Sequence, residues 1–258
     1  IHGISVKQLT PPPIASNPVA LAHACGLRPD PWQAEVLASD APRILLNCSR
    51  QSGKSTVAAL LALSTALSRR GALILVLSPS LRQSQELFRK ILHAYRTLHR
   101  PLPTEAETRL SLELTNGSRI VSLPGKEQTI RGYSGVNLLV IDEAARVEDE
   151  LYFSVRPMLA VSGGRLIALS TPFGTRGWWY EAWRSDEPWL RIEVPATLCP
   201  RISQEFLAEE ERTLGEWWFR QEYFCEFLDA QTAAFRREDI EAAFSEEVEP
   251  WQIPVLSR

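Results

Sequence analysis

The sequence predicts an α/β fold, a mainly parallel β-sheet sandwiched by helices with a small C-terminal lid. Three observations lead there. Apolar runs of strand length alternate with longer helical stretches from residue 43 onward. A Gly-Lys-Ser turn separates the first of those runs from the first long helix. A later apolar run ends abruptly in two acids, Asp142 and Glu143. Alternation of this kind packs helices on both faces of a parallel sheet, and strands buried on both faces read as unbroken apolar runs.

The elements follow in order. The first forty residues are rich in proline, at 11–13, 29 and 31, and predict an irregular arm with a short helix over 32–38 behind the Pro31 start signal. Residues 43–47 form a strand, 48–54 a loop, and 55 to about 69 a helix. A second strand at 72–78 leads into a helix from about 81 to 98. Runs at 110–114 and 119–123 alternate in polarity around Asn116-Gly117, a hairpin signal. Residues 138–142 and 165–170 are two further buried strands with helical sequence between them. Past Thr171 the character changes: 189–194 suits an edge strand, and 203–227 one or two helices rich in Glu and aromatics. The tail beyond Asp229 is acidic and gives weak signals. The expected division is a core with its N-terminal arm over 1–195, and a helical lid and linker over 196–258.

A chain of 258 residues accommodates one large domain, or one domain with a small appendage. With 45% hydrophobic and 23% charged residues it has the composition of a soluble globular protein. Its longest apolar strings, at 57–63 and 72–77, are too short to cross a bilayer. The first residue is Ile1 and no secretory segment opens the chain, so a trimmed N-terminus is expected. Cys25, Cys48, Cys199 and Cys225 are scattered, which points to a reducing, cytoplasmic setting without structural zinc. The net charge of −3 disfavours a protein that binds nucleic acid by broad phosphate neutralisation; any such contact has to be local, weak or shared.

Cys48-Ser49-Arg50-Gln51-Ser52-Gly53-Lys54-Ser55-Thr56 stands between strand and helix, the context a phosphate-binding P-loop requires. Backbone N–H groups there converge on phosphate oxygens, and Gly53 lets the main chain approach. Lys54 would reach the β- and γ-phosphates of ATP, and the Ser55 hydroxyl would hold Mg²⁺. Thr56 supports the helix start. Cys48 replaces the glycine that usually opens this loop, which puts the backbone angle there in question.

The run 138–142 would deliver Asp142 to the C-terminal edge of the sheet, beside the cradle. There Asp142 suits a Mg²⁺ role and Glu143 can polarise an attacking water. Alone, the two acids would equally suit the start of the next helix. Coupled to the cradle they predict a P-loop NTPase of the additional-strand, catalytic-glutamate type. Two further motifs leave alternatives open. Trp32-Gln33 can stack on and pair with adenine, or serve as core anchor and helix start. Ser170-Thr171 at a strand tip can sense the γ-phosphate, or cap a turn before Pro172.

Together these residues resemble a family, the large terminase subunit of tailed bacteriophages, the DNA-packaging motor. The resemblance rests on Trp32-Gln33, Ser49 to Thr56, Ile130-Arg131-Gly132, the Val-Ile-Asp-Glu-Ala run ending at Ala144, Leu169 to Pro172, and the Arg-Gln-Glu-Tyr-Phe-Cys-Glu-Phe run from Arg220 to Phe227. It implies a Mg²⁺-dependent ATPase that moves double-stranded DNA into a procapsid in the host cytoplasm. Its partners would be the portal, the small terminase subunit and further copies of itself in a ring, a pentamer by resemblance, from a chain that is monomeric when isolated. It implies that Arg50 contacts the phosphates or couples hydrolysis to movement, and that Ser170 and Thr171 form the coupling motif. Arg131 becomes a candidate arginine finger, with a solvated or DNA-touching loop arginine as the alternative; Arg146 and Arg156 are lesser candidates. The family's nuclease half, of ribonuclease-H-like fold, does not fit in the 31 residues after Phe227, so a cut from a longer protein is expected.

Arg82, Arg89, Lys90 and Arg96 on the second long helix read as a solvated face before they read as a DNA track, and Trp178, Trp179 and Trp183 as packing before base stacking. Two other functions share some of these motifs: a DEAD-like helicase ATPase domain, and a nucleotide-gated ring-assembly subunit without turnover.

Overall fold

The computed structural model describes residues 13–125, 130 and 132–229. Arg131 and the tail beyond 229 lie outside the described residues. The sheet has eight strands among them: β1 (Arg43–Cys48), β2 (Leu73–Ser78), β3 (Thr104–Glu107), β4 (Ser111–Leu114), β5 (Arg119–Pro124), β6 (Leu138–Asp142), β7 (Arg165–Ser170) and β8 (Leu190–Val194). They run in the order β3-β4-β5-β2-β6-β7-β1-β8. All pairings are parallel except the β3–β4 and β4–β5 antiparallel pairs at one edge. β7 lies between the cradle strand β1 and the carboxylate strand β6, the additional strand of the predicted class.

The pleat sorts the central strands into two cores. Ile44 and Leu46, Ile74 and Val76, Leu138 and Val140, and Ile167 and Leu169 face one side. There they meet α1 (Pro18–Ala24), α2 (Pro31–Ala38), α3 (Lys54–Ser68) and α4 (Leu81–Thr97). Leu45, Leu75, Leu139, Ile141 and Ala168 face the other, under α5 (Asp149–Val155) and α6 (Gly177–Arg184). Trp178 and Trp179 are buried in this second core, and Trp178 stacks on Tyr152 with centroids 3.9 Å apart. The tryptophans are packing residues. α7 (Gln204–Leu214) and α8 (Glu216–Phe224) stand apart, around a small cluster of Ala196, Leu207, Phe219 and Tyr223.

The hairpin forms at its predicted turn, where Gly117 takes a φ of 79° and Asn116 bonds back to the end of α3 through the Ala66 carbonyl. β5 then also pairs in parallel with β2, so the hairpin widens the main sheet. Three elements exceed the expectation. α1 interrupts the arm, started by an Asn17 cap and Pro18. β3, Thr-Glu-Ala-Glu, carries no apolar pattern and is an edge strand that pairs with β4 alone in the sheet. α6 starts at Gly177, and the Trp178 N–H in its first turn donates to the Asp149 carboxylate of another helix at 2.8 Å. Among the described residues no helix is long and apolar enough to cross a membrane.

Candidate functional site

The cradle lies where β1 turns into α3. Cys48 is the last residue of β1, in register with Val194, so its backbone is extended and no glycine is needed there. The Ser49 N–H donates to the Val194 carbonyl at 2.9 Å, and the Ser52 hydroxyl closes the loop onto the Ser49 carbonyl at 2.9 Å. Gln51 turns at a φ of 60° and Gly53 at 94°. Gly53 is favoured by its φ. A Cβ there would also sit 2.6 Å from the Gln33 amide nitrogen.

A polar cleft of about 480 Å³ opens over this loop. Arg50, Gln51, Gly53, Lys54, Ser55 and Thr56 line one side; Glu143, Arg146 and Thr171 line another. α4 contributes Gln83 and Lys90. Lys90 therefore faces the cleft, whereas Arg89 pairs with Glu86 and Arg96 with Glu107. Desolvation lowers the Lys90 pKa.

Lys54 is buried, with Nζ 3.7 Å from Glu143 Oε1. Asp142 ends β6 as a buried carboxylate accepting the Glu143 N–H at 3.1 Å. Burial, aided by the Glu143 charge and opposed by Lys54, pushes the Asp142 pKa up to about 6. Glu143 itself adopts a left-handed backbone, φ 51° and ψ 45°, at the head of the 3-10 turn Ala144–Arg146. A non-glycine residue in that region stores on the order of 1–2 kcal/mol and persists where the surroundings over-determine it.

The other predicted residues sort by place. Gln33 is engaged at both ends of its amide: its oxygen accepts the Asp30 N–H and its nitrogen donates to the Ser52 carbonyl, so it ties the start of α2 to the cradle. Trp32 is buried in the α3-side core. Thr171 accepts from Arg146 at 3.3 Å, while Ser170 is buried with its hydroxyl unpartnered among the described residues. Arg50 reaches Glu222 of α8 at 2.7 Å, which raises its pKa further. Arg156 pairs with Glu187, and does not line the cleft. Sequence reasoning missed Gln83, Lys90 and Glu222 as site residues, and Arg201, which bonds both Asp30 and the Ser52 carbonyl. Glu222 lies inside a quoted motif; nothing local marks it as a partner of residues more than seventy positions earlier.

Comparison with known proteins fits this geometry. The large terminase subunit of Thermus phage G20c is 25% identical over 250 residues, covering 81% of this chain and 51% of that protein. The chain spans about half the length of the curated relatives it matches. The large terminase ATPase domain of Thermus phage P74-26 superposes with a TM-score of 0.71 at 23% identity, covering 80% of this chain and 97% of that one. The large terminase of another thermophilic bacteriophage, solved in complex with ATP-gamma-S, does so at 0.63 and 14% identity, over 77% of this chain and 53% of that one. These likenesses establish a terminase-type P-loop ATPase fold. A family described as "Terminase large subunit, T4likevirus-type, N-terminal" matches residues 45–242, well over half the chain, and the chain belongs to it.

Proposed function

We propose that this chain is the ATP-hydrolysing motor domain of a DNA-packaging terminase, driving double-stranded DNA into a procapsid. The observation that carries the reading is the meeting of Lys54 and Glu143 across one cleft, with Asp142 buried beside Glu143, over a loop that runs straight into a helix start. The loop amides and Lys54 bind the β- and γ-phosphates. Ser55 and Asp142 are the residues that would hold Mg²⁺, which neutralises phosphate charge when bound. The buried Asp142 carboxylate at the strand end and the Ser55 hydroxyl lining the cleft are oxygen donors, the chemistry that Mg²⁺ takes. Glu143 accepts the proton of the attacking water at its carboxylate. Trp32 and Gln33 support the base end of the nucleotide, and Ser170 and Thr171 report on the γ-phosphate.

Residues 196–258 act as lid and linker. Assembly as a ring with the portal and small terminase subunit, in the host cytoplasm, follows from the family, as does an arginine finger across the subunit boundary, for which Arg131 is the candidate. Phosphate release with Mg²⁺ and ATP tests the reading, with Lys54→Ala and Glu143→Gln as the diagnostic variants. Turnover by Glu143→Gln at the wild-type rate would sink the base assignment. Tight ATP binding without release would point to the assembly subunit instead. Mixing Arg131→Ala with Glu143→Gln chains is expected to restore some activity through mixed interfaces; no recovery at any ratio removes Arg131 as the finger.

A further inference from the structure

Five charged side chains alternate in sign in one chain of ion pairs at the cleft, Lys54, Glu143, Arg146, Glu222 and Arg50; all but Glu222 line it. Glu143 is flanked on both oxygens, by Lys54 at 3.7 Å on Oε1 and by Arg146 at 3.2 Å on Oε2. Arg146 then reaches Glu222 at 3.5 Å, and the other oxygen of Glu222 takes Arg50 at 2.7 Å. The Glu222 side chain is only 6% exposed, so its charge depends on those two guanidinium groups. It comes from α8, whereas the other four residues belong to the sheet's own loops and helix start.

The Arg146 guanidinium is oriented from several sides. One nitrogen donates to Glu143 and to the Thr171 hydroxyl at 3.3 Å; the other faces Glu222; the plane lies over the Phe173 ring at 4.7 Å. Its backbone N–H also donates to the Glu143 carbonyl at 2.9 Å, closing the short turn that holds Glu143 in its left-handed conformation. A rigid planar fork can bridge separate acceptors in this way, and a lysine ammonium cannot reproduce it.

We propose that Arg146 is a positioning residue for the Glu143 carboxylate, and that Glu222 makes its hold depend on the seating of α8. The proposal rests on the ATP-hydrolysis reading above. The same residue of α8 also accepts the Arg50 backbone N–H at 3.0 Å through its carbonyl. Seating of α8 is therefore registered at the phosphate loop and at the base together. When α8 lifts, Arg146 loses one of its acceptors and Glu143 loses its fixed neighbour. Gln221, one position earlier, is buried with both amide atoms unpartnered among the described residues, so this seat of α8 carries a cost that another arrangement can relieve.

The test uses the full chain and four variants: Arg146→Ala, Arg146→Lys, Glu222→Gln, and Arg146→Ala with Glu222→Gln. Arg146→Ala is expected to lower kcat about 10–100-fold, the cost of a misplaced group, with the KM for ATP within roughly threefold. Arg146→Lys restores part of kcat. Glu222→Gln lowers kcat less, and the double variant is no slower than Arg146→Ala alone, because both changes break one connection. Hydrogen exchange of residues 216–224 is expected to quicken in Arg146→Ala. Wild-type or faster turnover by Arg146→Ala, a rise in KM in place of a fall in kcat, or multiplying effects in the double variant overturns the proposal. Unchanged exchange in α8 overturns its link to the lid. A wild-type chain without turnover overturns the ATPase reading itself, a result distinct from all of these. Should Arg146→Ala melt early, Arg146→Gln serves with the same criteria.

Discussion

The sheet core and the C-terminal helical pair are held by different forces. β1, β2, β6 and β7 are almost wholly buried and carry the cradle and its carboxylates on their ends. α7 and α8 share a cluster of four buried residues and leave Phe206, Trp218 and Phe224 exposed. The pair and its flanking residues meet the core through polar contacts, Glu222 to Arg50 and Arg146, Arg201 to Asp30 and the Ser52 carbonyl, and the Cys225 carbonyl to Asn47, beside the packing of Ile202 and Phe227. Apolar burial is non-directional and large, while the ion pairs of the nearly buried Glu222 hold only while both arginines keep their places. The contrast teaches that this fold builds a fixed cradle and fits it with a cover held by directional contacts.

That contrast can be broken at graded points. Replacing Glu143 with Gln is expected to cut turnover about 10²–10⁴-fold, the usual contribution of a positioned base; steady-state phosphate release measures it, and urea melts are expected to stay near wild type. Leu75→Ala, in the central strand β2, is expected to cost about 2–5 kcal/mol by urea denaturation. Phe206→Ala in the helical pair, already 42% exposed, is expected to cost under about 1 kcal/mol. Equal losses at the two sites would erase the distinction between core and cover.

A pH experiment sharpens it further. The folded pKa of Asp142 stands at about 6, above the ordinary value of 3.8. A raised carboxylate pKa means that the folded protein binds the proton more tightly than the unfolded chain. Stability from this group is therefore full below the ordinary value and is lost as pH rises through about 6. In a chelator, Asp142→Asn is expected to gain roughly 1–3 kcal/mol over wild type at pH 7.5, a gain that vanishes near pH 4. No difference between the two pH values would contradict the burial argument. The smallest effect belongs to Arg201→Ala: under about 1 kcal/mol in global stability, as for other exposed pairs, but faster hydrogen exchange in α7.

Much of this was legible in the chain. Most strands and helices from Arg43 to Val194, the hairpin at Asn116-Gly117 and the cradle with its two acids have local causes: unbroken apolar runs, a turn pair, a glycine before a helix. α6 was not legible, because its start is satisfied by Asp149 from another helix. β3 was not, because a polar edge strand has no pattern until β4 lies beside it. Trp32-Gln33 allowed two uses by residue type; the fold uses Gln33 as a strut between Asp30 and Ser52.

By itself the sequence determined the chemistry at the cleft, since Lys54, Ser55, Asp142 and Glu143 lie beside the turns that expose them. Tertiary structure alone decided the company they keep. Arg146, Glu222, Lys90 and Arg201 are charged residues of ordinary local context, and a charge acquires a role only from what stands within a few ångströms of it. That distance is set by the packing of α4 and α8 against the sheet, and spacing along the chain does not encode it.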